Sequence, residues 1–338
     1  KQRIGQGYFK ALLKGKYAGK CALCEIQTEQ MLIGSHIKSW KDSSNDEKLD
    51  RNNGIFIDSS ASGTHAIDHS QFDIDGTHSN GILAKDGTVN VTGTNGRSVF
   101  NVSGNYNNGI RLEAATVSDI SGTNFNVSGT NSNGVFANTT GNLTLGSGST
   151  TITGSGNNGL IVRDNGTLDV KDRSFDVGGT SNNGIYVVGS KTLNSVKNSS
   201  FKVNNNNIGI LVGDSSQATI TDISENVTFD VKGTDANSDH SGTGIYMYNG
   251  DVTVGKNVVM TGDDNDIFIT IRNRDYDNKI NLDGKKAVGI YVEDNDNKGI
   301  IHSVQATNEA NGIITMSGES GIAMASKFGN LVNKGKIN

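Results

Sequence analysis

A three-residue step recurs along most of the chain and constrains its fold more than any other sequence feature. In the regular copies Asn precedes Gly and an aliphatic residue follows, and looser copies replace the Asn. The ten copies contain Gly54, Gly81, Gly109, Gly134, Gly159, Gly184, Gly209, Gly244, Gly289 and Gly312. Their spacings are 27, 28, 25, 25, 25, 25, 35, 45 and 23 residues, and four consecutive spacings of 25 indicate an internal repeat.

Each repeat also contains two segments in which apolar and polar residues alternate. One of them, typified by Phe125-Asn126-Val127, begins nine residues before the Gly of the step. The other is weaker and includes Leu143-Thr144-Leu145 and Leu168-Asp169-Val170. A period of two is that of a β-strand, and no helical period is sustained after residue 53. Three short strands in each repeat predict an all-β fold, a right-handed parallel β-helix (solenoid) with coils of about 25 residues.

Successive coils of such a solenoid lie about 4.8 Å apart, so equivalent side chains form columns inside it. We predict an aliphatic column of Ile110, Val135, Leu160, Ile185 and Ile210. We predict an aromatic column of Phe100, Phe125, Phe175 and Phe201, in which Thr150 is a smaller member. We expect the Asn-Gly steps to supply corners with positive φ, and their Asn side chains to form a hydrogen-bonded ladder along the axis.

The composition agrees with a repetitive fold. The chain has 338 residues, a hydrophobic fraction of 33% and no Pro. It contains too few large apolar residues for two conventional cores, and Pro would remove a strand donor in every coil. About eleven coils would form a rod roughly 50 Å long, with protruding loops near residues 232–243 and 262–286. No apolar run approaches the ~18 residues of a membrane helix, so we expect no transmembrane segment in this chain.

The composition also divides the chain near Asn53. Residues 1–53 contain both cysteines, the only Trp, ten basic and six acidic residues, which gives a net charge of +4. Because the whole chain has a net charge of −5, residues 54–338 have a net charge of −9. We therefore predict two parts, residues 1–53 and residues 54–338, with different partners. Since the chain begins at Lys1 and ends within a repeat, we expect it to be a fragment of a longer protein.

Residues 54–338 resemble the passenger regions of bacterial autotransporter adhesins. Those regions are β-helices rich in Gly, Asn, Ser and Thr that nearly lack Cys, and the resemblance rests on composition and period. It implies a secreted or cell-surface rod with a structural or adhesive function, located outside the cell. The β-helix requires no cofactor, and the sequence does not identify the surface ligand that an adhesin would bind.

Residues 1–53 contain a sharper set of motifs. In chain order these are Arg3-Ile4-Gly5-Gln6, Cys21-Ala22-Leu23-Cys24, Ser35-His36-Ile37-Lys38 and Asn52-Asn53-Gly54. Their order and spacing resemble the HNH endonuclease domain of restriction-type enzymes, a small α+β fold of the ββα-metal type. Ser39 occupies the position at which that family usually has Pro.

The resemblance implies a role for each matching residue. His36 would be the general base that activates water, and Asn53, with Asn52 as a register alternative, would fix the loop that orients it. A divalent ion, Mg²⁺ or Mn²⁺, would bind at the scissile phosphate. Cys21 and Cys24 would form one half of a structural zinc site. The partner would be DNA, and the location would be cytoplasmic if this segment defines the protein.

The resemblance ends after Asn53. The family continues with a helix that carries a His or Asp metal ligand, whereas this sequence continues with Ile55-Phe56-Ile57, which is typical of a strand. His69 is a candidate for the missing ligand, with His65 and Asp68 as further candidates. The sequence contains no second Cys pair. We therefore expect the nuclease-like segment to be incomplete and unable to cleave DNA.

The sequence leaves three interpretations open. The first is a structural or adhesive surface rod, and the second is an HNH-type, metal-dependent DNA endonuclease. The third is a chimeric or fragmentary reading frame in which the two were joined at Asn53-Gly54-Ile55, a step common to both patterns. Acidic clusters such as Asp263-Asp264-Asn265-Asp266 match no calcium-binding motif, and we interpret them as solvated turns. We take the rod to be the main physical entity.

Overall fold

The computed structural model describes residues 64–247 in detail, apart from short gaps at 86, 94–95, 114–117, 164–167, 189–191, 205, 214–217 and 233–241. It also describes the strand at Ile55–Ile57 and a series of strands beyond Met247, mainly as backbone. Within these residues the secondary structure is entirely β, and no helix occurs. The nuclease-like segment at residues 1–53 lies outside the described residues.

The strands form three long parallel sheets, which we name A, B and C. Sheet A consists of β1 (Ile55–Ile57), β4 (Asn80–Ala84), β7 (Asn108–Ala114), β10 (Asn133–Thr139), β13 (Asn158–Val162), β16 (Asn183–Val187), β19 (Ile208–Val212), β22 (Thr243–Met247), β25 (Ile267–Asn273), β27 (Ile290–Asp294) and β30 (Met324–Ser326). Sheet B consists of β2 (Thr64–Asp68), β5 (Thr88–Thr92), β8 (Val117–Ile120), β11 (Leu143–Leu145), β14 (Leu168–Lys171), β17 (Thr192–Lys197), β20 (Ala218–Ser224), β23 (Gly250–Val254), β26 (Lys279–Leu282), β28 (Gln305–Asn308) and β31 (Asn330–Asn333).

Sheet C completes the triangular coil. It consists of β3 (Gln71–Ile74), β6 (Ser98–Val102), β9 (Thr123–Val127), β12 (Gly148–Ile152), β15 (Arg173–Val177), β18 (Ser200–Asn204), β21 (Val227–Lys232) and β24 (Val258–Gly262). A separate pair is formed by β29 (Ile313–Ile314) and β32 (Lys336–Ile337). Because up to β24 one strand of each sheet follows in turn along the chain and pairs in parallel with its equivalent one coil away, the fold is a parallel β-solenoid, as the repeat predicted.

The pairing register confirms the predicted columns. Leu160 lies between Val135 and Ile185, one coil to each side, and all three are fully buried. The aromatic column runs through sheet C as stacked rings. The ring centroids are 4.6 Å apart for Phe72 and Phe100, 4.9 Å for Phe100 and Phe125, 4.7 Å for Phe175 and Phe201, and 4.7 Å for Phe201 and Phe229. These columns form one continuous apolar core along the axis.

The seven described glycines of the repeat, from Gly81 to Gly244, lie inside strands of sheet A and have no positive φ, so the prediction that they form positive-φ corners is wrong. They are needed because neighbouring coils approach closely. An added Cβ at Gly109 would lie 2.6 Å from the carbonyl oxygen of Gly134 and 3.2 Å from the ring of Phe125. A β-carbon does not fit at these distances, and Gly is the residue that permits such an approach of two backbones.

The positive-φ corner lies two residues before each sheet A strand of the regular coils. Its residues are mostly not Gly: Tyr106 has a φ of 57°, Asn131 of 51° and Ser181 of 56°. Gly156, with a φ of 67°, occupies the same place in its coil. At Tyr106 the side chain projects outward and is 52% exposed. The turn therefore imposes the left-handed conformation on whatever residue the coil supplies there.

A ladder of buried Asn side chains follows this corner, and it confirms that Asn residues connect the coils. In Asn157 the Oδ1 atom accepts the backbone N–H of Ser132 at 2.8 Å, one coil earlier. Its Nδ2 atom donates to the carbonyls of Gly129 at 2.7 Å and Thr153 at 2.6 Å. Asn107, Asn182 and Asn207 make equivalent bonds, and all are buried. Each amide thus makes three hydrogen bonds to backbone groups of the corner and ties neighbouring coils together.

In the described coils the Asn residues of the Asn-Gly steps form a second, outer ladder. The Nδ2 atom of each residue donates to the Oδ1 atom of its equivalent one coil earlier, at 2.8–2.9 Å. The members are Asn80, Asn108, Asn133, Asn158 and Asn183, and the ladder ends because Ile208 occupies the next position. The predicted ladder is therefore present twice, and its buried version uses the residue that precedes the repeated step.

A buried cation interrupts the aromatic column. Thr150 stands in register between Phe125 and Phe175, where a full column would place another ring. Arg173, from the following coil, is 1% exposed and fills this space, with its guanidinium carbon 5.5 Å from the centroid of Phe125. Burial, with a smaller contribution from the charge of Arg97, lowers the pKa of Arg173 to about 9.

Of the two predictions of a protruding loop, the one at residues 262–286 is wrong. Residues 262–286 include β25 and β26, which continue sheets A and B. Ile269 pairs with Ile245 on one side and with Ile290 on the other, so the 45-residue spacing contains an additional coil. That coil lacks the Asn-Gly step and has Ile267-Phe268-Ile269 instead. The other predicted loop lies between β21 and β22, and its residues 233–241 are outside the described residues.

Candidate functional surface

The residues assigned to the nuclease-like motif lie outside the described residues. Cys21, Cys24, His36 and Asn53 therefore keep the roles that the resemblance implies only as predictions. The strand β1 pairs in parallel with β4, with Ile55 opposite Ile82, at the point where the HNH family continues with a helix. The backbone after Gly54 thus follows the repeat.

The three candidates for a missing metal ligand are placed by the solenoid. His69 is an exposed residue with a φ of 46° in the turn between β2 and β3. His65 and Asp68 belong to β2 and are half-buried. Phe72, three residues after His69, is a member of the aromatic column. Among the residues that the structure describes, no three His, Cys, Asp or Glu side chains form a group suited to a metal ion.

The outward face of sheet C is polar. Its central row begins with a side-chain ladder in which Asn101 donates to Asp73 at 2.7 Å and Asn126 donates to Asn101 at 2.8 Å. Further along the same row, Lys202 lies 3.5 Å from Asp176. These groups largely satisfy one another, and exposed pairs of this kind add little to stability.

The outward face of sheet B is acidic. Asp119, Asp169 and Asp222 share one row, and each accepts a hydrogen bond from a nearby Ser hydroxyl at 2.5–2.8 Å. Lys197 lies 2.8 Å from Glu225 and 3.6 Å from Asp222. The hydrogen bond to Glu225 raises the pKa of Lys197. The carboxylates of this face are therefore engaged within the surface.

The outward face of sheet A differs from both, because its first outward row is mainly apolar. We name it the apolar row; it consists of Leu83, Arg111, Phe136, Ile161, Tyr186 and Leu211. The next member in register, Tyr246, is only 1% exposed. Ile161 is 7% exposed and the rest of the row is half-buried. In-register neighbours cover the sides of these residues, so the row presents its outer edges to solvent.

Two guanidinium groups flank the centre of the apolar row. The guanidinium carbon of Arg111 lies 4.9 Å from the ring centroid of Phe136, and that of Arg163 lies 5.8 Å from the same centroid. Arg111 also forms an ion pair with Glu113 at 2.7 Å. Both cations are within the range of a cation–π interaction with the ring. The centre of sheet A is thus an amphipathic surface with charges of both signs.

The apolar row and the burial of Arg173 were not predicted from the sequence, although the sequence contains a sign of each. The residue that follows the aliphatic member of each regular step is itself apolar in most coils, whereas alternation predicts a polar residue there. For Arg173 the signal was Thr150, a small residue in a column of Phe, which implies that something else fills the space.

No helix in the described part of the chain combines the length and apolarity that crossing a bilayer requires. Comparison with known proteins gives no relative: no family model, no curated protein and no solved structure matches the chain.

Proposed function

We propose that the chain is a structural or adhesive right-handed β-helical rod of the autotransporter-passenger type, displayed on a bacterial surface or secreted. The observation that carries this proposal is the parallel pairing of the three sheets, whose register is kept from coil to coil between Thr64 and Met247 apart from one shift between β14 and β17. Such a register repeats every outward side chain at about 4.8 Å along a stiff axis. A body of this kind acts by its length and its surface.

The internal chemistry of the coil supports the same proposal. The apolar columns and the buried Asn ladder use almost every inward position of the described coils. The interior is therefore packed, and ligands would contact the outer faces. Among those faces sheet A has the apolar row, so we propose that it is the first place to search for an adhesive contact.

The location outside the cell is tested by labelling. An antibody raised against the purified chain is applied to intact and to permeabilised cells of the source bacterium, beside an antibody against a cytoplasmic protein. We expect the first antibody to label intact cells and the second to label only permeabilised cells. Labelling by the first antibody that appears only after permeabilisation would contradict the proposal.

A second candidate function rests on the motif that contains His36 and Asn53. An HNH endonuclease would need Mg²⁺ or Mn²⁺ opposite the general base, held by a ligand from a helix. Because β1 follows Gly54 as a strand of sheet A, we propose that this helix is missing and that the segment does not cleave DNA. The test is nicking of a supercoiled plasmid in either metal, with His36→Ala as control. Metal-dependent nicking that the control abolishes would overturn this proposal and favour a cytoplasmic nuclease.

A further inference from the structure

The apolar row has a charged row beside it. Two residues further along the strands, the next outward positions of sheet A are Lys85, Glu113 and Asn138, in successive coils. Arg163 continues this row, since it follows Val162, which pairs with Ala137. Glu113 and Arg163 thus lie one coil before and one coil after Asn138, and the ring of Phe136 lies at the level between them.

This spacing makes the face complementary to a second copy of itself. A two-fold axis along the strand direction at the level of Phe136 reverses the order of the coils but keeps each row opposite its own equivalent. Phe136 then faces the second copy's Phe136, and Glu113 faces the second copy's Arg163. The reverse contact occurs as well, so two identical ion pairs flank one aromatic contact.

The alternative arrangement of two copies is unfavourable. If the coils of both copies ran in the same direction, with the apolar rows in contact, Arg111 would lie opposite the second copy's Arg111. Like charges opposed in this way are repulsive, and they oppose association. The charges of the face therefore select the antiparallel arrangement.

We propose that sheet A binds a second copy of this chain face to face and antiparallel, with Phe136 at the two-fold axis. The apolar row from Leu83 to Leu211 spans five intervals of about 4.8 Å, or about 24 Å, and with the charged row it is about 15 Å wide. Contact over this strip buries roughly 700 Å² in total, well below the ~1,200 Å² at which stable interfaces begin, so the association is weak and reversible. On a cell surface many copies are close together, and a weak contact of this kind would align neighbouring rods side by side.

The test uses the full chain and two charge reversals. Sedimentation equilibrium from about 10 µM to about 1 mM measures self-association in the range expected for a weak interface. We expect the wild type to form dimers, and Arg163→Glu or Glu113→Arg to weaken self-association by at least ~10-fold, because each variant places like charges opposite each other. We expect an equimolar mixture of the two variants to form heterodimers within about threefold of the wild-type affinity, because both ion pairs are then restored.

Matched controls separate this surface from general charge effects. Lys202→Glu and Asp176→Arg make the same changes of charge on the outward face of sheet C, and they should leave self-association unchanged. Because Glu113 also pairs with Arg111, circular dichroism must show that each variant keeps its fold. Phe136→Lys is an additional variant that should prevent dimer formation without changing Glu113. A monomeric wild type, equal effects of the sheet A and sheet C variants, or a mixture that does not associate would each overturn the proposal.

Discussion

The guanidinium of Arg173 donates a hydrogen bond of 3.0 Å to the Oγ1 atom of Thr150, which lies one coil earlier. It also donates to the Oγ1 atom of Thr123 at 2.6 Å and to the carbonyl of Gly146 at 2.9 Å. A cation therefore occupies the place of one ring in a column of Phe side chains, with oxygen atoms as partners. Thr150 and Arg173 act as a pair, because each is suited to the core only in the presence of the other.

This pairing predicts compensation between two substitutions. Arg173→Thr alone should leave a space beside Thr150 and destabilise the chain by about 2–4 kcal/mol. Thr150→Phe alone should overfill the site and destabilise it by about 1–3 kcal/mol. The double variant restores both regular columns, with Thr in the place that Thr123 occupies two coils earlier, and should approach wild-type stability. Denaturant unfolding measures the three values; a double variant as unstable as the sum of the singles would refute the pairing.

The lowered pKa of Arg173 predicts how stability depends on pH. Burial lowers the pKa of Arg173 to about 9 in the folded chain, well below its value in the unfolded chain, so above pH 9 the unfolded chain binds more protons at this group. The destabilisation caused by burying the charged guanidinium is thus fully present below pH 9, and it decreases as the pH rises. Relative to that of the Thr150→Phe/Arg173→Thr variant, the free energy of unfolding of the wild type should rise by roughly 1 kcal/mol per pH unit above about pH 9. A difference in the free energy of unfolding that stays constant from pH 8 to pH 11 would contradict a lowered pKa of Arg173.

Close contact between coils predicts opposite outcomes for two Gly→Ala substitutions. A Cβ at Gly184 would lie 2.5 Å from the carbonyl oxygen of Gly209, so Gly184→Ala should destabilise the chain by about 1–3 kcal/mol. A Cβ at Gly178 would be 3.6 Å from its nearest neighbour, and Gly178 does not have a positive φ. Gly178→Ala should therefore be neutral or stabilise by about 0.4–1 kcal/mol. Thermal unfolding compares the two, and equal effects would argue against close contact as the reason for the Gly column.

The two Asn ladders predict different effects for adjacent residues. The side chain of Asn182 is buried and bonds to the backbone of Asn157, Gly154 and Gly178. Asn182→Ala removes the partner of the Asn157 N–H and a donor to the Gly178 carbonyl, while the Gly154 carbonyl still accepts from Thr180, and it should destabilise the chain by about 2–4 kcal/mol. Asn183 donates one half-buried bond, to Asn158, and Asn183→Ala should destabilise by no more than about 1 kcal/mol. A larger loss for Asn183→Ala in denaturant unfolding would contradict the assignment of the buried ladder.

The parts of the fold that could be predicted from the sequence are those in which the same type of residue recurs at the equivalent position of successive coils. An Ile or a Phe that recurs every 25 residues has to be inside, so the columns through Leu160 and Phe125 followed directly from the period. The strand β25 could not be located in this way, because its coil has no Asn-Gly step. The role of the repeated Gly was also misjudged, since a steric contact with the next coil is not visible in the sequence of one coil.

The core cation and the candidate surface could likewise be predicted only in part. A buried Arg contradicts the usual preference of that residue for the surface, and only the space beside Thr150 explains it. The apolar row was visible as a pattern, but its importance depends on the register that places Phe136 between Arg111 and Arg163. The roles assigned to His36 and Asn53 rest on the sequence motif alone, and they stay predictions.

Crosslinking across one coil tests the solenoid register most directly. Thr151 and Asp176 are in-register outward neighbours in sheet C, and adjacent strands place their Cα atoms about 4.8 Å apart, within the range of a disulfide. On a background of Cys21→Ser and Cys24→Ser, we expect Thr151→Cys with Asp176→Cys to form a disulfide in the folded chain, detected by mass spectrometry of peptides. Thr151→Cys with Ser174→Cys, two residues out of register, should not form one readily. Equal crosslinking of the two pairs, or crosslinking of only the second pair, would contradict the 25-residue parallel register.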